Sequence, residues 1–232
     1  RTGEDFKNGQ VLLIDKPLTW TSFQVVNKLR WNIRHKFGLG KLKVGHAGTL
    51  DPLATGLLVI CIGKHTKLIE GLTSDAKTYT GTFLLGKTTP SYDLETAYNS
   101  EKDTSGITPE QLEEVRLSFL GVQQQVPPLF SAKQIDGKRA YDYARAGIEK
   151  ELKANTIEIT NFTIDASRFP EIDFEISCSK GTYIRSIAHD FGQKLGCGAT
   201  LIALRRTQSG NYDIKDSKSV EEWISFIEEQ PL

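Results

Sequence analysis

The chain has 232 residues, 38% of them hydrophobic and 25% charged, the balance of an ordinary globular protein with room for one large domain or two modest ones. Lys and Arg number 29 and Asp and Glu 29, so the formal charge is zero and no nucleic-acid partner can be argued from the total. No apolar run reaches membrane-spanning length and no signal peptide opens the chain. The three cysteines, Cys61, Cys178 and Cys197, are too few and too scattered for a disulfide framework, which points to a reducing, cytoplasmic setting.

In chain order, residues 11–14 read as a buried strand. Thr21 or Ser22 then caps a helix whose apolar positions Val25, Val26, Leu29, Ile33 and Phe37 recur at helical spacing. Residues 57–62 form a second buried strand and residues 79–85 a third, interrupted by Gly81. Thr108, Pro109 and Gln111 have the spacing of a capping box and open a helix that ends before Gly121. Residues 156–164 and 172–177 alternate apolar and polar side chains, the pattern of strands with one wet face. A helix from about Thr182 to Leu195 buries Ile184, Ile187, Ala188, Phe191 and Leu195, with Gly196 at its C′ position. A last helix buries Val220, Trp223, Ile224 and Ile227. Strands and helices do not alternate regularly, so the expected class is α+β, with a mixed, largely antiparallel central sheet flanked by helices and loops. The chain opens at Arg1 and contains no Met, which points to a processed or trimmed polypeptide.

Charge is distributed unevenly. Residues 16–50 contain no Asp or Glu but carry Lys16, Lys28, Arg30, Arg34, Lys36, Lys41 and Lys43, whereas acids gather between Asp93 and Glu114 and in the tail. Such a run is either a solvated basic helix or a phosphate-facing surface, and its length favours the second. The four histidines, His35, His46, His65 and His189, lie far apart and no CxxC or HExxH pair exists, so no metal site is expected.

The most constrained stretch is KVGHAGTLDPLATG, residues 43–56, which sets one carboxylate, Asp51, between a glycine-rich approach and Pro52. Glycines give up backbone entropy, and a proline pushes the preceding residue out of helical dihedrals. A loop of this kind either holds a side chain for chemistry or merely opens a turn at Asp-Pro. A second candidate is Arg185, in the first turn of the helix near 182–195. A cation there opposes the helix dipole, so an anionic partner is called for, either a ligand phosphate or a protein carboxylate. If that carboxylate is Asp51, the pair would fix its rotamer and hold it ionised. Tyr183 beside it is either a core aromatic or a ring presented to a ligand.

Six motifs stand in one order: DKPLTWTSF, GHAGTLDPLATG, KTYTGTFLLG, VPPLFSAKQIDGKRAYDYAR, GTYIRSIAHDFGQKLGCGA and LRRT. Together, over residues 9 to 210, they resemble the TruB-type tRNA pseudouridine synthases. The resemblance implies a pseudouridine synthase-like catalytic domain over residues 1–215, with 216–232 as a short C-terminal helical tail in place of a complete PUA-type RNA-binding domain. It implies isomerisation of uridine 55 in the T-arm of tRNA, without a cofactor and by a monomer. Asp51 resembles the catalytic aspartate, acting as nucleophile on the sugar or as base at the 2′ carbon. Arg185 would hold it ionised, and Tyr79 would stack on the uracil and assist loss of the C5 proton. Tyr183 and Leu204 resemble pocket walls. His46 resembles the residue that fills the space left by the flipped nucleotide, although its plain reading is a surface-loop histidine. Lys16, Arg34, Lys41, Lys43, Lys133, Lys138 and Arg139 are the candidates for a phosphate track.

Three departures qualify the match. Thr19 stands where the family has Gly, so the turn after Pro17 is expected to adopt a different conformation. Phe130 replaces a Tyr and Gln134 a Lys, which removes a hydroxyl and a charge from the expected RNA-facing loop. The third is the short tail. The main alternative is a catalytically silent RNA-binding or tRNA-chaperone protein of the same fold. A zinc nucleobase deaminase would need a His and Cys cluster, and a glycosidase a second loop carboxylate; neither is present.

Overall fold

The computed structural model describes the chain from Arg1 to Leu232 apart from residues 132, 133, 136, 149 and 151, and for residues 134 and 135 the backbone alone. In chain order the principal elements are α1 (Gly3–Asn8), β1 (Gln10–Lys16), α2 (Ser22–Phe37), β2 (Val44–Ala47), β3 (Ala54–Ile62), β4 (Lys77–Leu85), α3 (Pro109–Ser118) and β5 (Gly121–Gln125). They continue as β6 (Asn155–Arg168), β7 (Glu171–Cys178), α4 (Ile184–Leu195), β8 (Ala199–Ser209), β9 (Tyr212–Asp213), β10 (Lys218–Ser219) and α5 (Val220–Glu229). The chain divides into two compact units, residues 1–79 with 205–232, and residues 80–204. The class is α+β with a largely antiparallel sheet, as the sequence pattern implied.

In the first unit the strand order is β10-β1-β3-β8, with β2 also on β3 and β9 on β8. β1 runs antiparallel to β3, from Gln10 opposite Ile62 to Lys16 opposite Gly56, and only β10 pairs parallel with β1. Residues 57–62 are buried on both faces, which is why this strand reads as an unbroken apolar run. Helix α2 begins at a Thr21 capping box with Gln24 and ends at Gly38, whose φ of 59° supplies the left-handed C-cap. Val25, Val26, Leu29 and Ile33 are buried, while Phe37 is half-buried. Arg34, His35 and Lys36 fall in its last turn, where cations suit the helix dipole, so part of the basic run serves the helix itself. Residues 216–232 are woven into this unit: β10 lies on β1, and α5 opens with a Ser219 capping box. The indole of Trp223 donates to Leu13 O at 2.8 Å. Val220, Trp223 and Ile227 are buried as expected, and Ile224 is half-buried.

In the second unit the order is β8-β4-β7-β6-β5, with β6 antiparallel to both β7 and β5. Alternation is plain in β7, where Ile172, Phe174, Ile176 and Cys178 are buried. They help to enclose a phenylalanine core in which Phe83 stacks on Phe174 at 4.3 Å and meets Phe162 edge-on at 6.4 Å, with Phe119 and Phe191 completing it. Helix α3 has the expected Thr108–Gln111 capping box, and α4 ends at Gly196 with φ 79°. The expected break at Gly81 is absent, because β4 runs straight through it. A Cβ there would lie 2.2 Å from Ala203 O and 2.7 Å from Phe174, so the glycine lets a neighbouring strand and ring approach.

Candidate active site

The Asp51 loop belongs to the first unit. Its approach, β2, is antiparallel to β3, with His46 opposite Ile60 and Ala47 opposite Val59. Beyond β2 the chain is fastened at several points. Gly48 takes φ 91°, a backbone conformation open to glycine. The buried Ser22 hydroxyl donates to Leu50 O and accepts from Leu50 N, both at 2.9 Å. Thr19 N donates to Pro52 O at 2.7 Å, and Ala54 N closes a turn on Asp51 O at 3.0 Å. Asp51, half-buried, is therefore carried by a turn whose backbone is tied before and after it. The DKPLTWTSF motif thus supplies partners of the Asp51 loop, Thr19 and Ser22.

Thr19 itself has φ 74°, the left-handed region that favours glycine. The chain turns here through a left-handed threonine whose N–H is tied to Pro52 O.

Lys16 requires a correction. Placed on the phosphate track by its position in the basic run, it has no exposed surface. Its ammonium donates to Pro17 O at 2.9 Å and Trp20 O at 2.6 Å. Burial pushes its pKa down to about 8, and the charge of Asp51 acts in the opposite sense, holding it up. A side chain so enclosed cannot meet a phosphate at the surface. Its cation belongs to the electrostatics of Asp51, a relation that linear sequence conceals because 35 positions separate the two.

His46 is half-buried, not a plain surface histidine. Burial moves its pKa below the ordinary value, a hydrogen bond with the Gly48 backbone opposes this, and the charge of Arg206 reinforces it. The imidazole is therefore neutral at physiological pH. Tyr79 is half-buried at the start of β4. Lys41 and Lys43 are exposed and line a groove of about 550 Å³ together with Lys7, Lys64 and Lys67. The last three were not singled out in the sequence, since nothing in one dimension joins α1 to the segment after β3. Arg34 is exposed and donates to Leu39 O at 3.3 Å.

Two consecutive arginines of the LRRT motif also lie in this unit, on β8. Successive strand residues face opposite sides, and the pair divides accordingly. Arg205 grips Asp15 with two bonds, of 3.0 and 2.9 Å. Arg206, 1% exposed, donates to Leu57 O at 2.8 Å and Gly48 O at 3.1 Å.

The second unit holds Tyr183, Arg185, Leu204, Lys138 and Arg139. Tyr183 is the N-cap of α4, and the buried Gln125 side chain clamps its backbone, accepting from its N–H at 2.8 Å and donating to its carbonyl at 3.1 Å. Ser186 adds a bond to Val126 O at 2.8 Å. Arg185, 5% exposed, lies in the first turn as expected and donates to Phe130 O at 2.6 Å and Ser91 O at 3.4 Å. The carboxylate of Asp93 lies 4.0 Å from its Nε, and Asp93 is in turn held by the Ser91 hydroxyl at 2.7 Å and Glu95 N at 2.9 Å. A protein carboxylate is thus among the anionic neighbours of Arg185. Asp93 escaped the sequence reading because it was counted with the acidic stretch that follows it. The backbone of Phe130, not its ring, meets the guanidinium, so this contact survives replacement of Tyr by Phe. Leu204 is half-buried on β8; Lys138 and Arg139 are exposed. Lys133 and the side chain of Gln134 lie outside the described residues. Among the described residues no group of three or more His, Cys, Asp or Glu could hold a metal ion, and no helix is long and apolar enough to cross a membrane.

Comparison with protein-family models places the chain among the pseudouridylate synthases. Residues 34–184 fit the model of the TruB family pseudouridylate synthase N-terminal domain, and residues 185–228 that of the tRNA pseudouridylate synthase B C-terminal domain. The chain belongs to the TruB family. It is 54% identical to tRNA pseudouridine synthase B of Flavobacterium johnsoniae, over 93% of this chain and 95% of that one. Identity to tRNA pseudouridine synthase B of Phocaeicola vulgatus is 50%, over 98% and 97%. A chain in the crystal structure of a Cbf5-Nop10-Gar1 complex superposes with a TM-score of 0.72 at 26% identity; the match covers 97% of this chain and 56% of that one.

Proposed function

We propose that this protein isomerises uridine to pseudouridine in tRNA, at position 55 of the T-arm, with Asp51 as the catalytic carboxylate. The reading rests on the relationship to tRNA pseudouridine synthases B along nearly the whole of both chains, with Asp51 set in a tethered loop. The reaction breaks the bond from N1 of the base to C1′, turns the uracil, and joins C5 to the same carbon. C5 loses a proton, N1 gains one, and no atoms are added. Asp51 acts either on the sugar carbon or as base at the 2′ carbon, and both routes use an ionised oxygen.

A uridine within a folded arm reaches such an oxygen only after leaving its stack. His46, kept neutral, fills the vacated space by stacking without adding charge. Tyr79, Tyr183, Leu204 and Arg185 keep the roles the family resemblance gives them, and Lys41, Lys43, Lys138 and Arg139 remain candidates for phosphate contacts. Residues 1–215 are then the catalytic domain and 216–232 a short helical tail, and the protein works on tRNA as a cytoplasmic monomer without a cofactor.

The test is release of tritium from C5-labelled uridine in a T-arm stem-loop, followed by nucleoside analysis. Release with one pseudouridine formed per tritium supports the reading. Tight binding of the stem-loop with no release identifies a silent RNA-binding protein instead.

A further inference from the structure

Arg206 is the largest fully buried side chain among the described residues, and nothing in the reaction described above uses it. Its two bonds reach opposite sides of one loop. Gly48 precedes Asp51 and Leu57 follows it, so the guanidinium bridges the entry and the exit of the turn that carries the carboxylate. The Arg206 backbone presses on the same segment. A Cβ at Gly56 would lie 2.2 Å from Arg206 O and 2.8 Å from Arg206 N, and a Cβ at Gly48 would lie 3.4 Å from Arg206 Nη1. Two glycines of the loop, both with positive φ, therefore lie against this one residue.

We propose that Arg206 is a positioning residue for the reaction: its buried guanidinium, fixed on β8, clamps Gly48 and Leu57 and so sets where Asp51 stands. A planar fork with donors in fixed directions can serve two carbonyls at once, whereas the point charge of a lysine on a flexible stem cannot hold both in register. Misplacing a reacting group by about 1 Å costs on the order of 100-fold in rate. The charge also bears on His46, which shares the Gly48 neighbourhood, so this histidine reports on the clamp independently of turnover. The inference rests on the proposed function for its catalytic part and on geometry alone for the clamp.

Arg206→Gln and Arg206→Lys test it. In Arg206→Gln, kcat on the T-arm stem-loop falls by about 100-fold while KM stays within about threefold. The titration of His46, followed by NMR, moves to higher pH, and amide exchange across residues 48–57 quickens. In Arg206→Lys the positive charge remains, so His46 titrates near its wild-type value, yet kcat still falls by more than about tenfold because one of the two carbonyls is released. A folded variant with kcat within about twofold of wild type overturns the proposal, as does a loss confined to KM. Failure of both variants to fold overturns it too, since Arg206 would then serve the fold alone. Wild type that releases no tritium defeats the functional reading, whereas unchanged exchange and an unmoved His46 in Arg206→Gln defeat the clamp whatever the activity.

Discussion

Lys16 makes the sharpest quantitative prediction. Its ammonium has no exposed surface, and its pKa lies near 8 in the folded protein against an ordinary value of 10.5. Between those two values the unfolded chain binds more protons than the folded one, so stability rises with pH across that window. At about 1.4 kcal/mol per pH unit, the gain between pH 8 and pH 10 is roughly 2 to 3 kcal/mol. Lys16→Met lacks this titration but keeps the other lysines and tyrosines, so its background pH dependence is the same. Guanidinium unfolding of both proteins at pH 7, 8, 9 and 10 isolates the difference, which should shift in favour of wild type by roughly 2 to 3 kcal/mol between pH 8 and pH 10 and stay flat below pH 7. A difference that is constant within about 1 kcal/mol across the series refutes the buried, charged lysine. The charge of Asp51 holds the Lys16 pKa up, so in Asp51→Asn the rise in stability should begin at a lower pH.

Two further substitutions probe the backbone of the site. Gly56→Ala forces a Cβ to within 2.2 Å of Arg206 O at a φ of 104°. It should cost about 3 kcal/mol, read by calorimetry as a fall in Tm of about 6 to 12 °C; an unchanged Tm would mean that β8 does not press on Gly56. Thr19→Gly removes a left-handed strain of about 1 to 2 kcal/mol and adds back about 1 kcal/mol of unfolded-state entropy, so Tm should rise by about 2 °C. A lowered Tm would show that the φ of 74° at Thr19 is unstrained.

Much of the scaffold was legible because local signals agreed with the tertiary structure. The cap of α2, at Thr21 of the two residues offered for it, the Thr108 capping box, the apolar spacing of α2 and Gly196 after α4 each appear where the pattern placed them. Strand β8 was not legible. Its LIALRRTQS run shows no alternation, because Arg205 and Arg206 point to opposite faces and each finds its own partner, Asp15 for one and two carbonyls for the other. Lys16 illustrates the same limit from the other side. A lysine in a basic run reads as solvated until three-dimensional structure supplies the carbonyls of Pro17 and Trp20. For the candidate site, loop composition singled out Asp51, a helix first turn Arg185 and the family resemblance His46, but the groups that hold them had no signal of their own. Asp93 lay hidden in an acidic stretch, and Arg206 in a doublet whose members look equivalent in one dimension.

The proposed reaction turns on a single carboxylate. Single-turnover tritium release from a C5-labelled T-arm stem-loop should therefore be measured for Asp51→Asn beside wild type, with binding of the same RNA measured in parallel. Release is expected to be abolished while RNA affinity stays within about tenfold. Release by the variant at a rate similar to wild type would contradict it.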